Sequence, residues 1–228
     1  MRKFIIFGIG NYLSDIFDII HCNDGKVHKI FQNIPEIIAD RTISLKERLS
    51  FLPYDVQVYD SLIEFKPEPG CEYALGCTVV EKDRLVNHLK AHHALYFTPL
   101  VHQRAYLGSN VVIGEGVLVA PHATISPNTV LGRFSFINRA ASIGHDVHIG
   151  EYSRVGPSAA IAAFCKIGCR TSVNIGATVI DRIHIGDNSV VGAGALVTRD
   201  LPDNVVAFGT PAKIVRDKPL ENFNGISF

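Results

Sequence analysis

The chain has no excess of either charge: its 22 Lys and Arg balance 22 Asp and Glu, for a formal net charge of zero. It also has no run of Lys and Arg. A nucleic-acid or anionic-membrane partner calls for a concentrated basic patch, so neither is expected. No stretch of eighteen apolar residues occurs, which excludes a helical membrane span. The opening Met1-Arg2-Lys3 and Phe4-Ile5-Ile6-Phe7 resemble a leader, but Gly8, Asn11, Asp15 and Asp18 end the apolar run early. A buried first strand is expected instead. Cysteines are few: Cys22, Cys71, Cys77, Cys165 and Cys169, an odd set with no C-x-x-C pair. That pattern fits reduced structural thiols in the cytoplasm rather than a disulfide framework or a zinc site.

What is present is a repeat. From Leu107, every sixth residue up to Val197 is Leu, Ile or Val, sixteen positions without an insertion. The next position is often Gly, as at Gly108, Gly132, Gly144, Gly150 and Gly186. Four residues after each aliphatic stands a mostly small or β-branched residue, such as Ala123, Thr129, Ala141, Cys165 or Ala195. A period of six cannot keep to one face of a 3.6-residue helix, and Gly with β-branched residues disfavours helix. Three short strands and three corners make an eighteen-residue triangular coil. Each aliphatic then stacks on its counterpart one coil away, about 4.8 Å off. The small residue is expected to allow the sharp corner, and Gly to tolerate the tight backbone there. Such coils cannot bury their apolar face singly and must stack.

Residues 1 to 98 lack the repeat. Phe4–Phe7, Val27–Phe31, Asp55–Tyr59, Tyr73–Gly76 and Ala94–Phe97 read as strands. Tyr12–Cys22 and Val79–Ala91 read as helices. The alternation predicts a small Rossmann-like α/β domain over 1–98. The repeat resembles that of the hexapeptide-repeat family, which implies a left-handed parallel β-helix over 99–215, followed by a tail over 216–228. The turn Gly8-Ile9-Gly10-Asn11 before a helix could offer backbone N–H groups to a phosphate or sugar. Leu13 stands where a dinucleotide fingerprint would have its third Gly, so a dinucleotide is not expected.

The order of parts, with Ile137-Asn138-Arg139-Ala140-Ala141-Ser142-Ile143-Gly144-His145-Asp146 and the closing Gly209-Thr210-Pro211-Ala212-Lys213, resembles the hexapeptide-repeat sugar acyltransferases of the sialic acid O-acetyltransferase type. That group includes enzymes that N-acetylate nucleotide-linked amino sugars. The resemblance implies acetyl-CoA as cosubstrate, no metal, a sugar or nucleotide-sugar acceptor, a cytoplasmic location and a homotrimer with sites between prisms. It implies His145 as general base, Asp146 as its partner, and Asn138 in the substrate site. Gly8, Gly10 and Asn11 would bind the acceptor. The stretch from Val191 to Ala195, with Ala193, and Lys213 resemble the coenzyme A-binding end.

The residues add their own support. His145 holds the third position of its rung, shared by Ser109, Glu115, Arg133, Glu151 and Asp187, so it should face outward. Imidazole titrates near neutrality, which suits a base. Ala163 lies eighteen residues on, where its N–H could meet a thioester oxyanion. Arg154 stands where relatives often carry a second histidine, and could contact a coenzyme phosphate or the substrate. Phe31-Gln32-Asn33 stand where nucleotide-sugar relatives have acidic residues, which argues against a UDP-linked sugar but not against acetyl transfer.

Other classes make different demands. A prism-type zinc carbonic anhydrase needs converging histidines, and only two residues separate His145 from His148. A carrier-protein acyltransferase would lack the N-terminal domain and end in a helical extension. A non-catalytic sugar- or partner-binding β-helix is the remaining alternative, and failure to bind coenzyme A would favour it.

Overall fold

The computed structural model describes residues 1–32, 43–78 and 82–219. They fall into two compact units divided after Leu100.

The first unit is built on a parallel sheet of four strands: β1 (Arg2–Phe7), β2 (Gly25–Phe31), β3 (Gln57–Tyr59) and β4 (Cys71–Leu75). Their order across the sheet is β3-β2-β1-β4. β1 is central, and Phe4, Ile5, Ile6 and Phe7 are fully buried, which explains its unbroken apolar run. Between β1 and β2 runs α1 (Leu13–Cys22), which buries Leu13, Ile16, Phe17, Ile19 and Ile20. Two further helices are α2 (Leu45–Ser50) and α3 (Asp83–His92). The expected helix from Val79 thus starts at Asp83 among the described residues; residues 79–81 lie outside them. The expected strand Ala94–Phe97 is not formed. Phe97 makes only an isolated bridge to Tyr73, and Pro99, lacking an N–H, cannot extend it.

The second unit contains sixteen two-residue strands from Tyr106–Leu107 to Leu196–Val197, one every six residues. They stack into three parallel faces, each strand on the one eighteen residues away, as Ser142–Ile143 lies on Ala160–Ile161. This is the pattern of a left-handed parallel β-helix. The repeat aliphatics from Val119 to Val197 fill the prism together with Ala123, Ala141, Ala159, Cys165, Ala177 and Ala195. Burial pushes the Cys165 thiol's pKa up, as suits a packing residue. The coil starts one step before Leu107, at Val101, and the His102 N–H donates to the Val119 carbonyl at 2.9 Å. At its end a hairpin of Val205–Gly209 and Ala212–Asp217 closes one face antiparallel.

The corners differ from expectation. Every sixth residue from Asn110 to Gly194 has positive φ, and it is the fourth residue of each rung, not the glycine at the second. Asn110, His122, Phe134, Ala140, Asp146, Tyr152, Phe164 and Arg170 all take this conformation. It costs roughly 1–2 kcal/mol for a residue with a Cβ, a cost offset by stacking on neighbouring coils. The second-position glycines serve close approach instead. A Cβ on Gly144 would lie 2.7 Å from the Ala162 carbonyl carbon and the Ala163 nitrogen.

On one inner edge the small residues are hydroxylic: Ser135, Ser153, Thr171 and Ser189, all buried. Ser153 Oγ donates to the Gly168 carbonyl (2.6 Å) and accepts the Thr171 N–H (2.9 Å). Thr171 Oγ1 donates to the Gly186 carbonyl (2.7 Å) and accepts the Ser189 N–H (3.1 Å). The Ser153 and Thr171 hydroxyls thus each tie one coil to the next, whereas Ser135 Oγ is buried with no hydrogen-bond partner among the described residues.

Candidate functional site

His145 and Asp146 sit on the prism edge between strands Ser142–Ile143 and His148–Ile149. Buried Ile143 and Val147 anchor this short turn, so the two polar side chains face outward. Their side chains are 51% and 39% exposed. His145 Nδ1 lies 2.7 Å from Asp146 Oδ2. A carboxylate can only accept, so Nδ1 carries the proton and Nε2 presents its lone pair. Asp146 reaches back to its neighbour because of its positive φ of 55°.

One coil on, the Ala163 N–H has no acceptor among the described residues. Gly144 leaves that N–H uncrowded, since a side chain there would press on the Ala163 nitrogen. The Phe164 N–H donates to the His145 carbonyl at 3.1 Å. This edge therefore joins an outward imidazole with an oriented carboxylate partner to an open backbone donor, elements that acyl transfer can use.

The other sequence-predicted residues of the β-helix lie elsewhere on the chain. Asn138 and Ala193 share a second edge. Asn138 Oδ1 accepts the Arg139 N–H at 2.7 Å, and so shapes its own turn. Arg154 lies on the face opposite the His145 edge, with Nε 3.1 Å from Ser172 Oγ and a terminal nitrogen 3.4 Å from Asn174 Oδ1. Lys213 is exposed on the closing hairpin, paired in register with Phe208. His122 at a corner, and His148 and His184 on strands, are exposed, as surface residues should be. A single chain does not bring Asn138, Arg154, Ala193 or Lys213 to His145.

In the first unit, Gly8 (φ +76°) and Gly76 end the adjacent strands β1 and β4. The two turns touch: a Cβ on Gly76 would lie 2.1 Å from the Gly8 carbonyl oxygen, and one on Gly10 would lie 3.2 Å from Cys77 Cα. β1 connects through α1 to β2 on one side and pairs with β4 on the other, so the chain's direction across the sheet switches here. Open parallel sheets bind ligands at such a point, outside the strands' carboxyl ends. Asn11 is exposed in this turn, and its carbonyl accepts from Arg48 at 3.4 Å. Gln32 follows β2, and its amide donates to Asp60 after β3 at 3.0 Å. A carboxylate thus does stand near Gln32, contributed by the next strand. Asn33 lies outside the described residues.

Sequence reasoning missed Phe164 and Arg182 beside His145. Adding eighteen to Asp146, and eighteen again, would have found them.

A family model for the bacterial transferase hexapeptide (six repeats) matches residues 164–199. No curated protein sequence matches the chain. A histidine mutant of perosamine N-acetyltransferase from Caulobacter crescentus, in complex with CoA and GDP-perosamine, superposes with a TM-score of 0.80 at 27% identity, over 94% of this chain and 97% of that one. In its repeat and its fold the chain is similar to the hexapeptide-repeat acetyltransferases. Two further structures share the fold. The acetyltransferase domain of PglB from Neisseria gonorrhoeae, in complex with acetyl coenzyme A, has a TM-score of 0.80 at 19% identity, over 94% of this chain and 99% of that one. WeeI from Acinetobacter baumannii has a TM-score of 0.68 at 20% identity, over 93% and 99% of the two chains. No described helix is long and apolar enough to cross a membrane.

Proposed function

We propose that this protein moves the acetyl group of acetyl-CoA onto the amine of a nucleotide-linked amino sugar. The observation that carries the reading is the edge where His145, held by Asp146, faces outward beside the open Ala163 N–H. The likeness to a perosamine N-acetyltransferase carrying CoA and GDP-perosamine supports this choice of donor and acceptor.

In this mechanism, His145 Nε2 takes a proton from the acceptor amine as its nitrogen attacks the thioester carbonyl. The Ala163 N–H stabilises the oxyanion as it forms. Asp146 supports the imidazolium through Nδ1–H. The carbon–sulfur bond then breaks, and the imidazolium returns its proton to the departing coenzyme A thiolate. No acyl-enzyme is needed, so no Ser or Cys acts as nucleophile.

The acceptor's nucleotide would rest at the crevice of Gly8, Gly10 and Asn11. The Gln32–Asp60 pair offers both an amide and a carboxylate to a base edge. Asn138, Arg154, Ala193 and Lys213 would meet the donor or acceptor across a neighbouring prism, because one chain splits them from His145. This division supports a homotrimer, and the supply of acetyl-CoA argues for the cytoplasm.

The test is thiol release from acetyl-CoA across GDP-, UDP- and dTDP-linked 4-amino sugars, with free sugars as controls. Turnover with a nucleotide-linked amine is expected. If no acceptor works and calorimetry shows no coenzyme A binding, the alternative, a non-catalytic binding β-helix, replaces it.

A further inference from the structure

The edge that carries His145 continues upward as a column of side chains. Directly above Asp146 stands Phe164, and above that Arg182. The His145 and Phe164 rings are 4.9 Å apart and nearly perpendicular, at 86°. The Arg182 guanidinium lies over the Phe164 ring at 4.6 Å from its centroid. Arg182 is itself 3.5 Å from the Asp181 carboxylate.

Nothing in the fold requires an aromatic ring at 164. Its φ of +60° is one that L side chains adopt at a cost, and Asn128 and Asn110 fill the same row two and three coils away with residues that tolerate it. Phe134 has a similar φ but is 1% exposed and stacked under Tyr152, so its ring serves packing. Phe164 is 47% exposed. Its ring lies against the imidazole.

We propose that Phe164 is a positioning residue for His145, with Arg182 clamping the Phe164 ring from above. An exposed imidazole on a turn can rotate about two side-chain bonds. The perpendicular ring blocks one side of that motion and keeps Nδ1–H on Asp146, so that Nε2 stays aimed outward. The cation–π contact holds the Phe164 ring upright. This inference rests on His145 being the base.

The test uses Phe164→Asn, which suits the backbone conformation and keeps the N–H bond to the His145 carbonyl, with Phe164→Tyr as the conservative variant. The imidazole tautomer is read by long-range proton–nitrogen correlation on histidine-labelled protein at pH 8.5, with His145→Gln to assign the signal. This readout needs no substrate. Steady-state kinetics with acetyl-CoA and GDP-perosamine accompany it.

The expected result is a single Nδ1–H tautomer in wild type and Phe164→Tyr, and a mixture in Phe164→Asn. With it, kcat should fall about tenfold with both KM values within twofold, and Phe164→Tyr should restore it. An unchanged tautomer in Phe164→Asn overturns the proposal. So does a raised KM for acetyl-CoA at unchanged kcat, which would make Phe164 part of the donor's binding surface. If His145→Gln itself keeps full activity, the base assignment fails, whatever the tautomer shows.

Discussion

Replacing Gly144 by Ala tests both the packing of the coils and the chemistry beside it. The added Cβ would sit 2.7 Å from the Ala162 carbonyl carbon and the Ala163 nitrogen, and 3.0 Å from Ala163 Cα. These are backbone atoms, so no side-chain rotation relieves the clash. To reach ordinary contact the two coils must part by about 0.7 Å at this corner. Strain of this kind typically costs about 1–3 kcal/mol, which in a chain of this size lowers the melting temperature by roughly 2–4 °C for each kcal/mol. The same displacement moves the Ala163 N–H away from the oxyanion it would bind. Complete loss of such a donor costs about 100- to 1000-fold in rate, so a partial shift should cost about 10- to 100-fold in kcat. Gly150→Ala is the matched control. Its Cβ would meet Cys169 N and Gly168 C at 2.5 Å, on a different edge. It should melt as low while keeping its activity per folded molecule. The reasoning fails if Gly144→Ala melts like wild type, or if it loses no more activity than Gly150→Ala.

Further expectations follow from the two units separately. Thr171→Val strips a buried hydroxyl that donates to Gly186 and accepts from Ser189, and should destabilise by about 1–3 kcal/mol in a denaturant titration. Ile161→Ala opens a hole between Ile143 and Val179 and should cost about 2–5 kcal/mol by the same measure. Glu72 accepts both guanidinium bonds of Arg2 at 2.6 Å, and chiefly through them its pKa is held below the usual range. A lowered carboxylate pKa contributes stability that is present above the unfolded value, about 4.3, and is lost as pH falls through the folded value. The wild-type melting temperature should therefore drop on acidification below about pH 4.3, and Glu72→Gln should lose part of that drop.

The repeat was the most legible feature because its signal is chemical identity at fixed spacing: sixteen aliphatics that must all point inward. The corner was less legible. Position four carries Asn, His, Phe, Ala, Asp, Tyr, Ser and Arg, so no composition marks it, and the glycines beside it drew attention to the wrong residue. They are small because the next coil passes close, a reason visible only once coils are stacked. Helix α2 had a written signal: Ser44 accepts the Glu47 N–H at 3.1 Å, the start of a capping box. Val101 lies six before Leu107 and was equally readable. The closing hairpin was not, since it abandons the period of six. At the site, the His145–Asp146 pair follows from adjacent residues and a recognisable stretch. Its roof of Phe164 and Arg182 arises from neighbours eighteen and thirty-six residues on, which only the coil length relates.

The most direct test of the central claim is the rate of thiol release from acetyl-CoA with GDP-perosamine as acceptor, in wild type and His145→Ala at equal melting temperature. A loss of a hundredfold or more in kcat, with coenzyme A still bound, is the predicted result. Turnover in His145→Ala within fivefold of wild type would contradict it and remove His145 as the base.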